Sequence, residues 1–429
     1  MAARRPLPVL RPRPVLDPHV RDVDREAVPK YVVWELTLRC DLACVHCGSR
    51  AGHARQGELG TEEALRLVDE LHALGTTEIT LIGGEIYLHE GFLPIARAIT
   101  AHGIELGVLT GGLQMTRERL AEARDAGVSR IAVSFDAQEE LHDALRGRRG
   151  SFAAALRTVR DALELGFSVG INTQIARPAL RQIEPMMEEL LALGISGWQV
   201  SMTVPMGRAA DDPSLLLQPW QVIEVLPMLA RIRTWAAAKY PDFVLFPGND
   251  IGYFGPYEAL LHPHHPGHHR PACAAGRQGM GIEADGAIKG CPSLPSRDYV
   301  GGTVRDAPLI DLWQRTEALR FTRGRTTDSL WGFCATCYYR EPCMGGCSWT
   351  AHVLFGRPGN NPYCHHRALE LLEQGVRERV TRIKAPPGEP FDHGEFACTI
   401  EPWPAHEREQ AEAIARTGEG FIDGDEGVS

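Results

Sequence analysis

Short apolar runs alternate with amphipathic segments along the first half of the chain. The apolar runs have the length and β-branched content of buried strands, whereas the segments between them repeat apolar positions with helical spacing. Several helical segments end in glycine at a position suited to a C-cap. The predicted strands are 31–37, 78–83, 104–110, 130–136, 167–175 and 198–204. The predicted helices lie near 61–74, 92–102, 116–126, 151–165, 181–193 and 219–238. This alternation predicts parallel βαβ units and an α/β fold.

The rest of the chain lacks this regular alternation. Residues 1–28 are rich in proline and arginine, and residues 241–270 are rich in glycine, proline and histidine. Residues 271–365 hold seven cysteines but little periodicity, which indicates that metal replaces part of the missing apolar core. A helix is predicted at about 364–381. We therefore divide the chain into an extended arm (1–28), an α/β domain (29–240), a linker loop (241–270), a cysteine-rich domain with its C-terminal helix (271–383) and an acidic tail (384–429).

The charge distribution excludes some classes of partner. The chain of 429 residues has a formal net charge of −10, and the eleven acidic and two basic residues after position 384 contribute −9 of it. We interpret this tail as a solvated tether. No basic stripe marks a nucleic-acid surface, and no apolar run reaches the roughly 18 residues of a membrane helix. Prolines and arginines interrupt the N-terminal segment, which argues against a secretion signal. We expect a cytoplasmic protein.

The eleven cysteines are the most informative feature of the composition. Disulfides are rare in a reducing cytosol, so clustered cysteines there usually bind metal. Cys40, Cys44 and Cys47 form a C-x3-C-x2-C motif directly after the first predicted strand. A cubane cluster normally takes four protein ligands, so three thiolates would leave one iron open for a substrate or cofactor. A structural zinc site, with His46 as its fourth ligand, is the alternative interpretation.

In its position after the first strand, C-x3-C-x2-C resembles the motif of the radical S-adenosylmethionine (SAM) superfamily. The second predicted strand ends in Gly83, Gly84 and Glu85, which is similar to the GGE motif of that family. The resemblance implies that the open iron chelates SAM. It also implies that the glycines permit a close backbone approach and that the carboxylate receives the methionyl ammonium.

Further positions resemble SAM-binding segments of the same family. The fourth strand ends in a V-S-F-D sequence, and its Ser134 and Asp136 are expected to bond the ribose hydroxyls. Asn172, followed by Thr173 on the fifth strand, occupies another level that faces SAM. After the sixth strand, Pro-Met-Gly-Arg ending at Arg208 resembles a segment found near the adenine. These positions lie at the carboxyl ends of predicted strands, where barrel enzymes build their sites.

The second group of cysteines resembles the SPASM domain. Its pattern is C-x(9–15)-G-x4-C, then C-x2-C-x5-C-x3-C, then a last cysteine, and the seven cysteines and Gly286 fit it. The resemblance implies a partial (β/α)6 TIM-like barrel followed by a small SPASM domain with two auxiliary [4Fe–4S] clusters. The distal cluster would be bound by Cys334, Cys337, Cys343 and Cys364. The proximal cluster would be bound by Cys273, Cys291 and Cys347.

The proximal cluster has only three matching thiolates. Some SPASM domains have an eighth cysteine shortly after the first, but none lies between Cys273 and Cys291 here. We therefore predict an iron that is open or bound by a non-cysteine ligand. The preceding loop contains several histidines that are either solvated or a source of that ligand: His262, His264, His265, His268 and His269. Cys398 lies in the acidic tail and is expected to be an unliganded thiol.

The resemblance implies reductive cleavage of SAM and hydrogen abstraction by a 5′-deoxyadenosyl radical. The leading hypothesis is a maturase of a ribosomally made peptide that forms a crosslink, an epimer or an oxidised residue. Its expected partners are the precursor peptide, an electron donor such as flavodoxin or ferredoxin, and a separate leader-binding protein, because only about 30 residues precede the barrel. A maturase that oxidises a side chain of a folded protein is the alternative. A non-catalytic zinc scaffold is the third hypothesis, from outside the enzymes.

Overall fold

The fold is built on one extended sheet with helices packed along it. The computed structural model describes residues 13–248, 250–263 and 272–423. The strands are β1 (Tyr31–Glu35), β2 (Glu78–Ile82), β3 (Glu105–Thr110), β4 (Arg130–Ser134), β5 (Ser168–Ile175), β6 (Gly197–Met202), β7 (Val244–Pro247), β8 (Gly279–Ile282), β9 (Ala287–Lys289), β10 (Val300–Thr303), β11 (Val376–Lys384) and β12 (Glu395–Pro402).

The helices of the first half connect the parallel strands, and those of the second half are mostly short. They are α1 (Asp22–Glu26), α2 (Thr61–Ala73), α3 (Phe92–Ala101), α4 (Arg117–Asp125), α5 (Glu139–Leu145), α6 (Ser151–Glu164), α7 (Ile183–Leu191), α8 (Val222–Lys239), α9 (Glu258–Leu261), α10 (Ser296–Tyr299), α11 (Leu309–Arg315), α12 (Glu317–Arg320), α13 (Phe333–Thr336), α14 (Arg340–Cys343), α15 (Ser348–Phe355), α16 (His365–Glu373) and α17 (Ala405–Thr417). Within the described ranges, no helix combines the length and apolar character needed to cross a bilayer.

The six predicted strands form a parallel sheet in chain order. Strands β1 to β6 pair in register with their sequence neighbours, as predicted for βαβ units. The sheet is wider than predicted. Strand β7 lies in the segment interpreted as a linker loop and pairs in parallel with β6. On the other side, Tyr31 to Trp34 of β1 pair in parallel with Gly279 to Ile282 of β8, so the cysteine-rich region continues the same sheet.

The strands of the barrel have two chemically different faces. Alternate residues pack against the helices in one apolar core, which includes Trp34, Leu81, Val133, Ile171 and Val200. Because successive side chains on a strand point to opposite faces, the residues between them line the interior of the barrel. Many positions of that inner row are small or polar: Thr80, Gly107, Ala132, Ser134, Gly170, Asn172, Gln199 and Ser201. Its apolar members are Val33, Ile82 and Leu109. The small and polar positions make the interior of the barrel suited to a polar ligand.

The N-terminal arm packs against the cysteine-rich region. Asp24 of α1 is fully buried and pairs with Arg320 (3.2 Å) and Arg323 (3.3 Å). Trp313 of α11 donates from Nε1 to the carbonyl of Ala27 (2.7 Å). The described part of the arm is thus fixed by buried polar contacts, while residues 1–12 lie outside the described residues.

The acidic tail differs from the predicted tether. The helix predicted at 364–381 ends earlier, and Gly375, with a φ of 74°, precedes β11. Strands β11 and β12 then form an antiparallel pair, and α17 packs on α8. Several acidic residues in the described part of this region are paired rather than solvated; for example, Arg377 pairs with Glu401 (2.7 Å) and also with Glu407. Net charge alone could not show these arginine partners.

Candidate active site and cysteine clusters

The three cysteines of the first motif lie in one loop at the carboxyl end of β1. The loop is fastened to the segment that follows α5, because the backbone N–H groups of Ala43 and Val45 donate to the carbonyls of Arg146 (3.1 Å) and Leu145 (2.9 Å). Cys44 is buried, and Cys40 and Cys47 are half-buried. The loop thus presents three thiols beside the interior of the barrel.

The Gly83–Gly84–Glu85 turn packs directly against this loop. The N–H of Gly84 donates to the carbonyl of Thr37 (2.7 Å), and that of Glu85 donates to the carbonyl of Arg39 (2.8 Å). A Cβ atom at Gly84 would lie 2.0 Å from the carbonyl oxygen of Arg39. The close approach that Gly84 permits is therefore to the backbone of the cysteine loop, and this contact places Glu85 next to Cys40.

Glu85 is a buried carboxylate held in a fixed position. Thr110 Oγ1 donates to Oε2 (2.6 Å), and the N–H of Gly111 donates to Oε1 (2.7 Å). Burial raises the pKa of this carboxyl to about 8. One ligand atom of each of Cys40, Asp41 and Glu85 lies within 4.8 Å of the others. A cationic group bound here would compensate the buried charge, as expected for the carboxylate that receives an ammonium.

The thiols of the loop are chemically suited to a metal cluster. Burial, together with the nearby Glu85, Cys44 and Cys47, raises the pKa of the Cys40 thiol. Burial also raises the pKa of the Cys44 thiol, although Arg146 opposes this shift. Thiolates so close together repel one another unless a cation compensates their charge. The donor set therefore fits an iron–sulfur cluster with three protein ligands.

Asp136 has a different environment from the predicted ribose ligand. It is fully buried, and its carboxylate pairs with Arg146 (2.7 Å) and His46 (3.2 Å). Burial disfavours the ionised form, but Arg146 and His46 together lower the pKa of Asp136 below its usual range. Arg146 also donates to the Cys44 sulfur (3.8 Å). Asp136 therefore supports the cysteine loop through two partners, Arg146 and His46. Nε2 of His46 is engaged by this contact, whereas its buried Nδ1 has no hydrogen-bond partner among the described residues.

Arg208, which is predicted to lie near the adenine, also holds the cysteine loop. Its Nε donates to the carbonyl of Cys44 (2.6 Å), and its Nη1 donates to the carbonyl of Ala51 (3.0 Å). Arg50, which lies just after Cys47, also fixes the loop, because its guanidinium pairs with the carboxylate of Asp211 (2.7 Å). Sequence reasoning missed the roles of Arg146 and Arg50, because no motif signal distinguishes them from other surface arginines.

Ser134 and Asn172 are brought together as predicted from their strand positions. They are paired in the register of β4 and β5, at the carboxyl ends of these strands. Both belong to the inner row of the barrel, with Ser134 buried and Asn172 half-buried. Thr173 points the other way and accepts a hydrogen bond from Trp198 Nε1 (2.8 Å). Ser134 and Asn172 thus remain candidates for SAM contacts, whereas Thr173 belongs to the core.

The four cysteines predicted for the distal cluster lie near one another. Burial raises the pKa of the Cys334 thiol to about 11, with contributions from Cys343 and Cys337. Burial raises the pKa of Cys364 as well, with contributions from Cys343 and Cys334. Gly252 allows Cys364 to approach, since a Cβ atom at position 252 would lie 2.8 Å from the Cys364 Cβ. The four thiols are therefore neighbours, which is consistent with the predicted distal cluster.

The cysteines predicted for the proximal cluster surround a small separate core. Cys273 and Cys291 pack against Ala275, Leu294 and Tyr299. Burial and the nearby Cys273 raise the pKa of the Cys291 thiol to about 11. Burial raises the pKa of Tyr299, with contributions from Asp298 and from the nearby thiols of Cys273 and Cys347. These three cysteines thus form a second group, distinct from the distal one.

A short chain of side-chain contacts connects the proximal group to the first cysteine loop. Trp349, two residues after Cys347, packs on the small core of the proximal group. Its Nε1 donates to the sulfur of Met206 (3.2 Å). Met206 lies against Gly48, because a Cβ atom there would be 3.1 Å from Met206 Cε. One tryptophan and one methionine therefore separate the two regions.

Two further predictions concern residues outside these groups. Four of the loop histidines, at positions 264, 265, 268 and 269, lie outside the described residues. His262 is buried, with Nδ1 3.1 Å from a Glu258 carboxylate oxygen. Cys398 lies on β12 opposite Val380. Burial raises its pKa to about 12, with Glu378 and Arg367 as its charged neighbours. It is part of an ordered strand rather than a flexible tail.

A segment between β11 and β12 covers the first cysteine loop. The N–H of Phe391 donates to the carbonyl of Gly48 (3.2 Å), and the N–H of Gly207 donates to the carbonyl of Asp392 (2.7 Å). Arg50 Nε donates to the Asp392 carboxylate (2.8 Å). We call residues 388–394 the covering segment. It links the loop after β1 to the turn after β6.

Comparisons with known proteins agree with this arrangement. A model of the radical SAM superfamily matches residues 34–192, and a model of SPASM, an iron–sulfur cluster-binding domain, matches residues 273–338. The second match ends before Cys343, Cys347 and Cys364. The first match includes the cysteine loop after β1, and the second includes the first cysteines of the cysteine-rich region. These are the two families that the cysteine motifs resemble.

Curated relatives and solved structures are also similar. The AdoMet-dependent heme synthase of Methanosarcina barkeri is 29% identical, over 79% of this chain and 97% of that protein. The mycofactocin maturase MftC of Mycolicibacterium smegmatis is 28% identical, over 78% of this chain and 82% of that protein. The crystal structure of Streptococcus suis SuiB bound to S-adenosylmethionine has a TM-score of 0.63 at 15% identity, covering 80% of this chain and 78% of that one, and supports the fold.

The family matches and the site agree on the class of protein. The relatives are named as a synthase and a maturase, so the chain is an enzyme, and the non-catalytic scaffold hypothesis is wrong. Its cofactors are iron–sulfur clusters and SAM. The residues that bind each cluster remain predictions from the motifs and the grouping of the thiols. The chain contains a radical SAM domain, matched over residues 34–192, and a C-terminal SPASM domain, matched over residues 273–338.

Proposed function

We propose that this enzyme cleaves SAM reductively and modifies a ribosomally made peptide. A cluster bound by Cys40, Cys44 and Cys47 would supply one electron that breaks the C5′–S bond of SAM, giving methionine and a 5′-deoxyadenosyl radical. Glu85 would hold the ammonium of SAM, and Ser134 and Asn172 would line the inner face on which it lies. Arg146 and Arg208 would keep the cysteine loop in place.

The observation that carries this proposal is the position of the proximal thiol group. Trp349 and Met206 connect that group to the first cysteine loop. An oxidative modification removes a hydrogen atom from the substrate and then one more electron and a proton. Thiols near the barrel opening could hold the acceptor of that electron. An external donor such as flavodoxin or ferredoxin would supply the first electron.

The similarity to a mycofactocin maturase supports a peptide substrate. The inner row of the barrel adds a physical reason. Its small side chains, including Gly107, Ala132 and Gly170, leave room beside SAM for a substrate side chain. A peptide can place one residue inside a barrel while its remaining residues stay outside, so the site does not have to enclose the whole substrate.

A tetrapyrrole substrate is the second candidate. The relative named as a heme synthase matches this chain at 29% identity and over 97% of its own length. In that case the radical would act on a porphyrin side chain. The auxiliary thiol groups would hold an electron acceptor there as well, so they do not distinguish the two substrates.

The two candidates can be separated with reduced, reconstituted enzyme and SAM. We expect the product of a short open reading frame next to the gene to stimulate 5′-deoxyadenosine release. That peptide should also change in mass, or acquire deuterium when the reaction is run in deuterated water. An iron porphyrin should not stimulate the release of 5′-deoxyadenosine, and it should not itself be converted. Conversion of the porphyrin, with every neighbouring peptide left unmodified, would contradict the peptide assignment and favour the second candidate.

A further inference from the structure

We propose that Asp298, His352 and His393 form a binding site for one divalent zinc-type ion, separate from the cysteine groups. The three residues come from distant parts of the chain: α10, α15 and the covering segment. One ligand atom of each lies within 4.8 Å of the other two. Two imidazoles and one carboxylate are a common ligand set for zinc, and they leave a fourth position for water.

The spacing is already close to that of a bound ion. In a tetrahedral site, ligand atoms about 2.1 Å from the zinc ion are about 3.4 Å apart. The Nε2 atom of His352 lies 3.2 Å from a carboxylate oxygen of Asp298, which is close to this value. The other separations, which are within 4.8 Å, have to shorten by at most about 1.4 Å, shared between two side chains. No rearrangement of α10 or α15 is needed.

The Nε2 atom of His352 faces Asp298, and the Nδ1 atoms of both imidazoles lie near oxygen atoms outside the site. Tyr299 Oη lies 3.0 Å from Nδ1 of His352, and the carbonyl of Gly394 lies 2.9 Å from Nδ1 of His393. Histidines that bind metals usually donate their other ring N–H to an oxygen acceptor, which fixes the ring and its tautomer. The two rings are nearly perpendicular, at 86° with centroids 5.6 Å apart.

The alternative explanation is that His352 and Asp298 form only a hydrogen-bonded pair. A hydrogen-bonded pair needs only two residues, however, as His102 and Asp69 show at 2.8 Å on the surface. In the proposed site a ligand atom of a second histidine lies within 4.8 Å of this pair, and His352 is buried. A bound ion would use both rings.

An ion at this site would fasten the covering segment. Asp298 and His352 belong to the cysteine-rich region, whereas His393 lies beside Asp392 and Phe391, which contact Arg50 and Gly48 of the first cysteine loop. The ion would connect the SPASM region to the covering segment. Its removal should loosen residues 388–394 without disturbing the cysteine groups.

The test uses the full-length enzyme with its clusters reconstituted. After equilibration with Zn²⁺ and removal of loose metal, we expect about one zinc per chain. His352→Ala and His393→Ala should each weaken zinc binding by more than about 100-fold, and Tyr299→Phe by about 10-fold, because an outer partner is lost. His102→Ala, which removes half of a simple histidine–carboxylate pair, is the matched control and should retain the zinc.

Three readouts guard against misfolded variants and against zinc at cysteines. Iron content should be the same in all variants. Because the iron–sulfur clusters absorb in the visible themselves, Co²⁺ is followed in the difference spectrum against the cobalt-free reconstituted enzyme, where a site of nitrogen and oxygen atoms adds no thiolate-to-cobalt charge-transfer absorption. Amide hydrogen exchange in residues 388–394 should slow when Zn²⁺ is added to wild type but not to His393→Ala. Equal zinc binding by wild type and His393→Ala, or thiolate bands with Co²⁺, would overturn the proposal.

Discussion

Replacing each cysteine group in turn is expected to remove about four irons per chain, from a total of about twelve. The three variants carry alanine at the first loop, the proximal group or the distal group. The expected losses are equal because each group is separate in the structure and each would hold one cubane. Iron and sulfide analysis of anaerobically reconstituted protein measures them. The groups are Cys40, Cys44 and Cys47; Cys273, Cys291 and Cys347; and Cys334, Cys337, Cys343 and Cys364.

Cys398→Ala is the matched control for these variants. Cys398 pairs with Val380 on a regular strand and has Glu378 and Arg367 as its charged neighbours, so iron content should not change. A loss of about four irons in Cys398→Ala would show that this thiol closes a cluster. Stoichiometric zinc with little iron in the wild-type protein would contradict the assignment of all three groups.

Glu85→Ala is expected to weaken SAM binding by about 10- to 150-fold, or about 1.5–3 kcal/mol, because the ammonium loses a charged partner. Glu85 is fixed by Thr110 and Gly111 next to Cys40, so its carboxylate is preorganised for that contact. Equilibrium binding of SAM to the reconstituted enzyme measures the effect. Iron content should stay at the wild-type level.

Glu35→Gln provides a control with similar electrostatics. Glu35 is also buried, and burial raises its pKa to about 8, but it lies near Arg55, Glu283 and Lys289 rather than beside the cysteine loop. We expect wild-type SAM affinity in this variant. If Glu85→Ala bound SAM as tightly as wild type, the GGE assignment would be wrong. Equal weakening in both variants would point to a general effect of buried charge instead.

The sheet could be predicted from the sequence because its signal is local. Runs such as EITLI and RIAVS have the apolar content and length of buried strands, and β2 and β4 form where these runs lie. Strand β7 was missed because Val244–Pro247 is a short run within a loop of glycine, proline and histidine. Nothing local indicates that β8 pairs with β1, since that contact joins residues about 250 positions apart.

The cysteine groups could be predicted because spacing within a motif is itself the signal. The residues with which charged side chains pair could not be predicted in this way. Asp136 and Arg208 are predicted SAM contacts, and the sequence did not indicate that their side chains also reach Arg146 and the loop carbonyls. Which way a side chain at a strand end turns depends on neighbours from other segments. The acidic tail shows the same limit, since Glu401 and Glu407 are stabilised by Arg377.

The most direct test of the central claim is the fate of SAM in the reduced enzyme. Wild-type protein, anaerobically reconstituted and treated with dithionite, should convert SAM to 5′-deoxyadenosine and methionine in equal amounts. Cys44→Ala, measured in parallel, should produce neither above the level of dithionite and SAM alone. Equal production by wild type and Cys44→Ala, or none by a wild type that holds its full complement of iron, would contradict the assignment of this loop as the site of radical formation.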